Sequence, residues 1–193
     1  GRDAFRRRHN LENKFVVMYS GNHSPCHPLE TLVRAARQLE DSPEIVFCFV
    51  GGGSEHRKLR EQPAPNIRVL PYQPLEDLAG SLSAADLHVA VMGEEFCGIV
   101  HPCKIYNILT IGAPLLYIGP PESHITDIGG EIRGSGFYQA AHGDCDTVIR
   151  HIRSASQHGG RAEYPARVLQ GFGASRLIPE MVNVLQSALV RRR

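Results

Sequence analysis

Short apolar runs alternate along the chain with segments in which apolar residues recur at helical spacing. The runs at residues 15–19 and 45–50 are apolar at successive positions, which is typical of strands buried on both faces of a sheet. Six strands are predicted on this basis, at residues 14–20, 45–50, 67–70, 87–91, 115–118 and 136–140. Strands of this kind separated by helices predict an α/β fold, a doubly wound and mostly parallel sheet with helices on both faces.

Helix signals lie between these strands. Pro28 suits the first position of a helix, and Ser54 follows three glycines, where its hydroxyl is placed to cap the next helix. The spacing of Leu75, Leu78 and Leu82 predicts one apolar helix face. Further helices are predicted at residues 102–111, 144–158 and 175–190.

The composition indicates a folded chain with a mildly acidic body. It has 193 residues, of which 42% are hydrophobic and 21% charged, enough for one ordinary domain. No apolar run approaches the ~18 residues that a membrane-spanning helix needs. Seven arginines lie at the two ends, and residues 9–190 carry 14 basic and 19 acidic side chains. Nucleic-acid binding needs a basic face on the folded body, so this balance argues against a nucleic-acid partner.

The cysteine and histidine patterns do not predict a metal site. Five cysteines, an odd number without a CxxC pair, indicate neither a disulfide framework nor a zinc site. The ten histidines form no HExxH pattern. We therefore expect no metal and no cofactor, and the reducing cytoplasm is the predicted compartment.

Four loops of the predicted sheet are candidates for ligand binding. In a parallel sheet of this kind, ligands bind beyond the carboxyl ends of the strands. The loops at that edge are residues 21–27, 51–54, 71–74 and 93–103. We expect Gly21, Gly52, Tyr72 and Cys103 to open onto the same edge.

Lys104 lies where a lysine is locally unfavourable. With Pro102 at the first helical position, Cys103 and Lys104 take the next two, beside backbone N–H groups that have no partner within the helix. A cation there faces the positive end of the helix dipole, which costs up to ~1 kcal/mol. Only three of the 21 basic residues are lysines. A bound anion would turn the penalty into an attraction, and the alternative is a solvated lysine at a helix end.

Two other loop patterns are weaker. The stretch Gly51-Gly52-Gly53 fails the G-x-G-x-x-G dinucleotide fingerprint, because His56 takes the place of the last glycine. Its glycines serve a tight turn or allow a ligand to approach the backbone. Glu94 and Glu95 are adjacent, which argues against an acid/base pair. Hydrogen bonding to a sugar hydroxyl by one of them, or simple solvation, both stay open.

Four stretches together resemble a known family: VVMYSGN (16–22), IVFCFVGGGSEHRKL (45–59), NIRVLPYQPLEDLAGSLSAADLHV (66–89) and EEFCGIVHPCKIYNILTIGAPLLYIGP (94–120). They are similar to the carboxy-terminal, nucleotide-sugar-binding domain of a GT-B glycosyltransferase of the group 1 (family 4) kind. The last stretch is the most specific. The resemblance implies a Rossmann-like half of a GT-B enzyme and a nucleotide-sugar donor, with a UDP-sugar the most common in the family.

The resemblance also assigns roles to residues. It places Gly21 and Asn22 at the donor phosphates, the Tyr72–Gln73 pair at the base, Glu95 at the sugar, and the Cys103–Lys104 pair at the diphosphate and ribose. No catalytic residue is predicted. Lys104 stands where the wider family has a second glutamate, and Cys103 replaces a serine. The full predicted donor-binding set is Gly21, Asn22, Gly51, Gly52, Tyr72, Gln73, Glu95, Gly98, Cys103 and Lys104.

A GT-B enzyme has two such domains, so the resemblance implies a longer protein. Residues 1–13 are interpreted as the end of an interdomain linker and residues 14–193 as the donor domain, separated here from its amino-terminal acceptor domain. We expect the isolated domain to be inactive. Peripheral membrane association would come through that other domain. The alternatives are one half of a nucleotide-sugar 2-epimerase and a non-catalytic binding module of the same fold.

Overall fold

Six parallel strands form one sheet. The computed structural model describes residues 1–132, 134 and 136–190. The strands are β1 (Phe15–Asn22), β2 (Ile45–Gly52), β3 (Ile67–Leu70), β4 (Leu87–Val91), β5 (Leu115–Ile118) and β6 (Phe137–Ala140). Their order is β3-β2-β1-β4-β5-β6, and every neighbouring pair is parallel. The doubly wound α/β prediction is confirmed, and the sheet is entirely parallel where a mostly parallel one was expected.

Nine helices among the described residues flank this sheet. They are α1 (Arg2–Arg8), α2 (Glu30–Gln38), α3 (Ser54–Arg60), α4 (Leu75–Ser83), α5 (Lys104–Ile111), α6 (His124–Glu131), α7 (Cys145–Gln157), α8 (Ala166–Gly171) and α9 (Ala174–Val190). One face of the sheet buries Val17, Tyr19 and Phe47 beneath apolar residues of α2 and α7, while Val16 and Met18 point to the opposite side. This alternation along β1 is the period of two that a strand imposes.

Three predicted helix starts were wrong. Helix α2 begins at Glu30 rather than Pro28, after a loop in which the buried His27 ring bonds to the carbonyl of Val91. Ser54 is the first residue of α3 and caps nothing, because Glu55 N–H donates to the carbonyl of His23 instead. Helix α5 begins at Lys104, two residues after Pro102. A tight turn precedes it, with Cys103 N–H bonded to the carbonyl of His101.

Three helices were missed. Helix α6 has a capping box between Ser123 and Thr126, but Gly129 and Gly130 reduce its helix propensity and hid it in the sequence. The short α8 was also unseen. Helix α1 falls within residues 1–13, which were interpreted as the end of a linker.

Helix α1 is fastened to the amino-terminal edge of the sheet. Its Phe5 is buried, and its Arg6 donates to the carbonyl of Ala84 and to the carboxylate of Asp86. Asp86 also accepts from the backbone N–H of Val16 in β1. Residues 2–8 are therefore an integral part of this domain, and their role in a linker stays a prediction.

Helix α9 has a different character from the others. Large apolar side chains along it are exposed, including Leu177, Ile178, Met181 and Val184. No helix of the described ranges has the length and apolar character that crossing a membrane requires. The three arginines at positions 191–193 lie outside the described residues.

The Arg6–Asp86 contact should dominate the attachment of α1. We expect Arg6→Ala to lower the free energy of unfolding by about 2–4 kcal/mol, because it leaves the carbonyl of Ala84 without the donors of Arg6 and removes the more buried of the two arginines from the Asp86 carboxylate. Arg2→Ala is the matched control. Arg2 contacts the same carboxylate but its side chain is 41% exposed, so its loss should cost less than ~1 kcal/mol. Urea unfolding followed by circular dichroism measures both, and equal losses would contradict the assignment.

Candidate functional site

The candidate site is a crevice where the direction of chain winding reverses. Strand β1 has β2 on one side and β4 on the other, so the connections leaving β1 and β4 diverge at the carboxyl edge. A cavity of about 410 Å³ lies there, between the end of β1, the loop after β3, and the start of α5. Five of the ten predicted residues line it: Gly21, Tyr72, Gln73, Cys103 and Lys104.

Glycines lie at the strand ends beside this crevice, and Gly21 among them lines the cavity. Gly21 and Gly51 are register partners at the ends of β1 and β2, and both have φ in the region that favours glycine, +134° and +141°. A Cβ on Gly51 would collide with the carbonyl group of Gly21. Asn22 pairs with Gly52 in the same register. These four residues were predicted as loop and instead continue the two strands, since their backbones stay paired.

An exposed aromatic ring stands at the mouth of the crevice. Tyr72 is 59% exposed, and its ring would lie 3.0 Å from a Cβ on Gly52. Leu75, predicted on the buried face of its helix, is also exposed and lines the same cavity. Gln73 bends back and donates to the carbonyl of Pro71. Exposed apolar groups beside bare backbone are suited to a flat ring such as a nucleotide base.

Lys104 enters the crevice from α5 and ends in a buried position. Its side chain passes Gly21, where a Cβ would lie 3.4 Å from the Nζ atom. Nζ lies 3.4 Å from the centre of the Tyr19 ring, is shielded from solvent, and has no hydrogen-bond partner. Burial lowers the pKa of Lys104 to about 7. This is not the solvated lysine that the sequence left open.

Three buried histidines surround Lys104, each with a ring nitrogen bonded to a backbone carbonyl. His23 bonds to Gly21, His27 to Val91 and His88 to Leu82. Burial lowers all three pKa values, with a further contribution from the charge of Lys104, and the pKa values of His23 and His88 fall to about 4. The rings are therefore neutral at pH 7. No carboxylate of the described ranges forms an ion pair with Lys104.

Five predicted residues do not line this cavity: Asn22, Gly51 and Gly52 at the strand ends beside it, and Glu95 and Gly98 in other grooves. Glu95 is exposed in a short 3₁₀ turn and lines a neighbouring groove with His142. Gly98, with φ of +78°, lines a third groove beside Cys97. The structure thus separates the predicted sugar-contacting loop from the Lys104 cavity, and the roles of Glu95 and Gly98 stay predictions.

Sequence reasoning missed three residues of the site: Tyr19, His88 and Asn107. Asn107 follows Lys104 by one helical turn and lines the same cavity, a spacing that was available from the sequence. Tyr19 and His88 lie within buried strands and gave no signal beyond that of core residues. Within the part of the chain that the structure describes, no three His, Cys, Asp or Glu side chains are arranged to hold a metal ion.

A parallel sheet of this order, with a crevice where the winding reverses, defines a Rossmann-like α/β fold. The family model described as "Glycosyl transferases group 1" matches residues 1–103, and the chain belongs to this family. The match includes the glycine strands, Tyr72 and Cys103, and ends one residue before Lys104. Recognition of the family from the sequence is therefore confirmed.

Individual relatives agree with this assignment. The putative colanic acid biosynthesis glycosyl transferase WcaI of Escherichia coli K12 is 32% identical over 115 residues, which are 57% of this chain and 28% of WcaI. The structure of Anabaena Alr3699/HepE in complex with UDP-glucose has a TM-score of 0.75 at 16% identity. Staphylococcus aureus TarM has a TM-score of 0.64 at 12% identity. The last two show likeness of fold alone.

The chain is shorter than these proteins. It spans about half of HepE, with 96% of this chain and 52% of HepE covered. For TarM the shares are 89% and 35%.

The buried histidines should make the fold sensitive to acid. Because the pKa values of His23 and His88 are about 4 in the folded chain and about 6.5 when unfolded, the unfolded state binds more protons as the pH falls. The contribution of these two histidines to stability should be complete above pH 6.5 and decline towards pH 4, by roughly 3 kcal/mol for each histidine. Urea unfolding at a series of pH values measures this decline.

A matched pair of variants assigns the effect. His88→Gln keeps a donor for the carbonyl of Leu82 but cannot titrate, so its stability should depend less on pH. His158→Gln changes an exposed histidine and should keep the wild-type dependence. A decline that is equally steep in His88→Gln would exclude His88 as a source.

Proposed function

We propose that this chain is the donor-binding half of a glycosyltransferase that transfers a sugar from a UDP-sugar to a glycan or lipid-linked acceptor. Membership of the group 1 family supports sugar transfer. The UDP-glucose in the HepE structure supports a UDP-sugar donor, and the name of WcaI supports a polysaccharide product. Residues 14–193 would hold the donor, and an acceptor domain of the same protein would complete the enzyme.

The buried ammonium of Lys104 carries this proposal. An unpaired cation out of water is costly, and proteins tolerate one where a ligand supplies the counter-charge. The diphosphate of a nucleotide sugar supplies two charges and several acceptor oxygens. The Lys104 ammonium lies beside the half-buried backbone of Gly21, so the crevice brings a positive charge and a strand end without a side chain to one point.

The rest of the crevice fits the remainder of the donor. Tyr72 and Leu75 offer an apolar platform for the base at the outer end of the cavity. The side-chain amides of Asn107 and Gln73, which line the same cavity, suit the hydroxyl groups of ribose. Glu95 would reach the sugar from the neighbouring loop. The neutral histidines act by filling and shaping the floor, because one ring nitrogen of each already bonds to a backbone carbonyl.

Removing the ammonium should separate ligand binding from stability. We expect Lys104→Met to weaken UDP binding about ten- to a hundredfold, the equivalent of one charge-assisted hydrogen bond. The free protein should lose no stability, because methionine replaces a buried unpaired cation with an apolar chain of similar length. Isothermal titration gives the affinity and urea unfolding gives the stability.

Lys14→Met is the matched control, since Lys14 lies at the opposite edge of the sheet and donates to the carbonyl of Pro43. It should leave UDP affinity unchanged. A panel of UDP, GDP, ADP and CMP tests the choice of nucleotide. Failure of every nucleotide to bind would refute the donor-domain proposal and favour the non-catalytic module.

Donor binding should not need a divalent cation. The Lys104 ammonium can meet the charge of a diphosphate directly. The N–H groups of Cys103, Ile105 and Tyr106 already bond to backbone carbonyls, so these N–H groups, expected to be free at the helix start, are not available. We expect the affinity for UDP to stay within about twofold when Mg²⁺ is replaced by EDTA at constant ionic strength, since a twofold change is only ~0.4 kcal/mol. Isothermal titration in the two buffers makes the comparison. Loss of binding in EDTA would show that the charge is neutralised by a cation instead.

A further inference from the structure

Tyr19 links the two chemical features of the crevice. Its ring is 1% exposed and lies edge-on to His23, with ring centres 4.8 Å apart. Its face receives the Lys104 ammonium at 3.4 Å. Its hydroxyl donates to the carbonyl of Asn22 at the end of β1, over 2.8 Å. One side chain therefore contacts both the cation and the strand end that frames the crevice.

We propose that Tyr19 is a positioning residue that holds the Lys104 ammonium in the free protein and releases it to the donor diphosphate, so that donor binding is coupled to proton uptake. This rests on the proposed donor-binding function.

An aromatic ring suits this task because it attracts a cation without a net charge. A carboxylate in the same place would hold the lysine permanently and repel a diphosphate. The face of a ring offers one electrostatic contact, whereas a diphosphate offers several charged oxygens as acceptors. The ammonium has no other hydrogen-bond partner to give up. The exchange of Tyr19 for the ligand is therefore favourable for Lys104.

Proton uptake follows from the burial of Lys104. In the free protein its pKa is about 7 because burial disfavours the charged form, and an adjacent diphosphate would raise this pKa. The part of the population that is neutral before binding must then gain a proton. At pH 7 this is about half a proton for each donor bound, and at pH 8 about nine-tenths.

Other titratable groups face Lys104 from every neighbouring element. They are His23 and His27 from the segment between β1 and α2, His88 from β4, Tyr72 from the loop after β3, and Cys103 at the start of α5. The pKa values of His23 and His88 are about 4, so these two rings stay neutral between pH 6 and 8. Burial also lowers the pKa of His27, whose ring bonds to the carbonyl of Val91. The Cys103→Ser variant tests the contribution of the Cys103 thiol.

Titration calorimetry with UDP-glucose tests the coupling. This probe has no terminal phosphate, which would itself ionise near pH 6. Measurements at pH 6, 7 and 8, in buffers of different ionisation enthalpy, give the number of protons taken up. Affinity should fall about tenfold from pH 6 to pH 8. Binding with no proton uptake at pH 8 would overturn the coupling alone, and no binding at any pH would overturn the donor-binding function as well.

Variants identify the residues responsible. Tyr19→Phe keeps the ring and should keep the pH midpoint of binding, whatever its affinity. Tyr19→Leu removes the ring and should move the midpoint to lower pH by at least half a unit, since the cation loses its contact in an apolar setting. An unchanged or higher midpoint in Tyr19→Leu would overturn the role of Tyr19. Cys103→Ser should keep the wild-type midpoint, which identifies Lys104 rather than the thiol as the titrating group.

A measurement on the free protein is independent of any nucleotide. The chain has only three lysines, Lys14, Lys58 and Lys104, so selective labelling gives three side-chain signals that single variants assign. We expect the Lys104 signal to titrate near pH 7 in the wild type and in Tyr19→Phe. If Tyr19→Leu does not fold, the titrations of Lys104 in the wild type and in Tyr19→Phe test the proposal. A Lys104 signal that stays fully charged up to pH 9 would overturn the proposal.

Discussion

The crevice depends on one constraint. The ammonium of Lys104 is buried away from water without a counter-charge. The Lys104 ammonium lies against an aromatic ring and the backbone of a glycine, contacts that lessen the cost of burial without cancelling it. The three histidines around Lys104 stay neutral, and each bonds to a backbone carbonyl. A buried cation of this kind would favour an anionic ligand over a neutral one.

Glycine shapes the strand ends beside Lys104. A Cβ on Gly51 would collide with the carbonyl group of Gly21, so the two strand ends lie side by side only with glycine at position 51. A Cβ on Gly21 would make ordinary contact with the Lys104 side chain, 3.4 Å from Nζ, but a residue other than glycine would be strained there, at φ of +134°. Backbone conformation therefore accounts for the glycine at position 21, and close packing for the glycine at position 51.

Much of the fold could be predicted because strands buried on both faces leave a continuous apolar signal, as at β1, β2 and β4. The exact strand ends could not, since Gly21 and Gly51 have the composition of a turn but remain paired. The position of Lys104 at the ligand edge followed from Pro102 and from the scarcity of lysine. Its burial was not predictable, because that depends on Tyr19, a strand residue 85 positions earlier whose side chain gives only a core signal.

The exposed ring of Tyr72 gives this domain a built-in optical signal. The chain contains no tryptophan, so its near-ultraviolet emission comes from six tyrosines, and Tyr72 alone among them is exposed. Its phenol stands over Gly52 at the entrance of the crevice. A base stacked on the ring of Tyr72 would quench the fluorescence of this exposed tyrosine and leave the fluorescence of the other, less exposed tyrosines unchanged. Ligand bound in the crevice would therefore change the intrinsic fluorescence of the unlabelled protein.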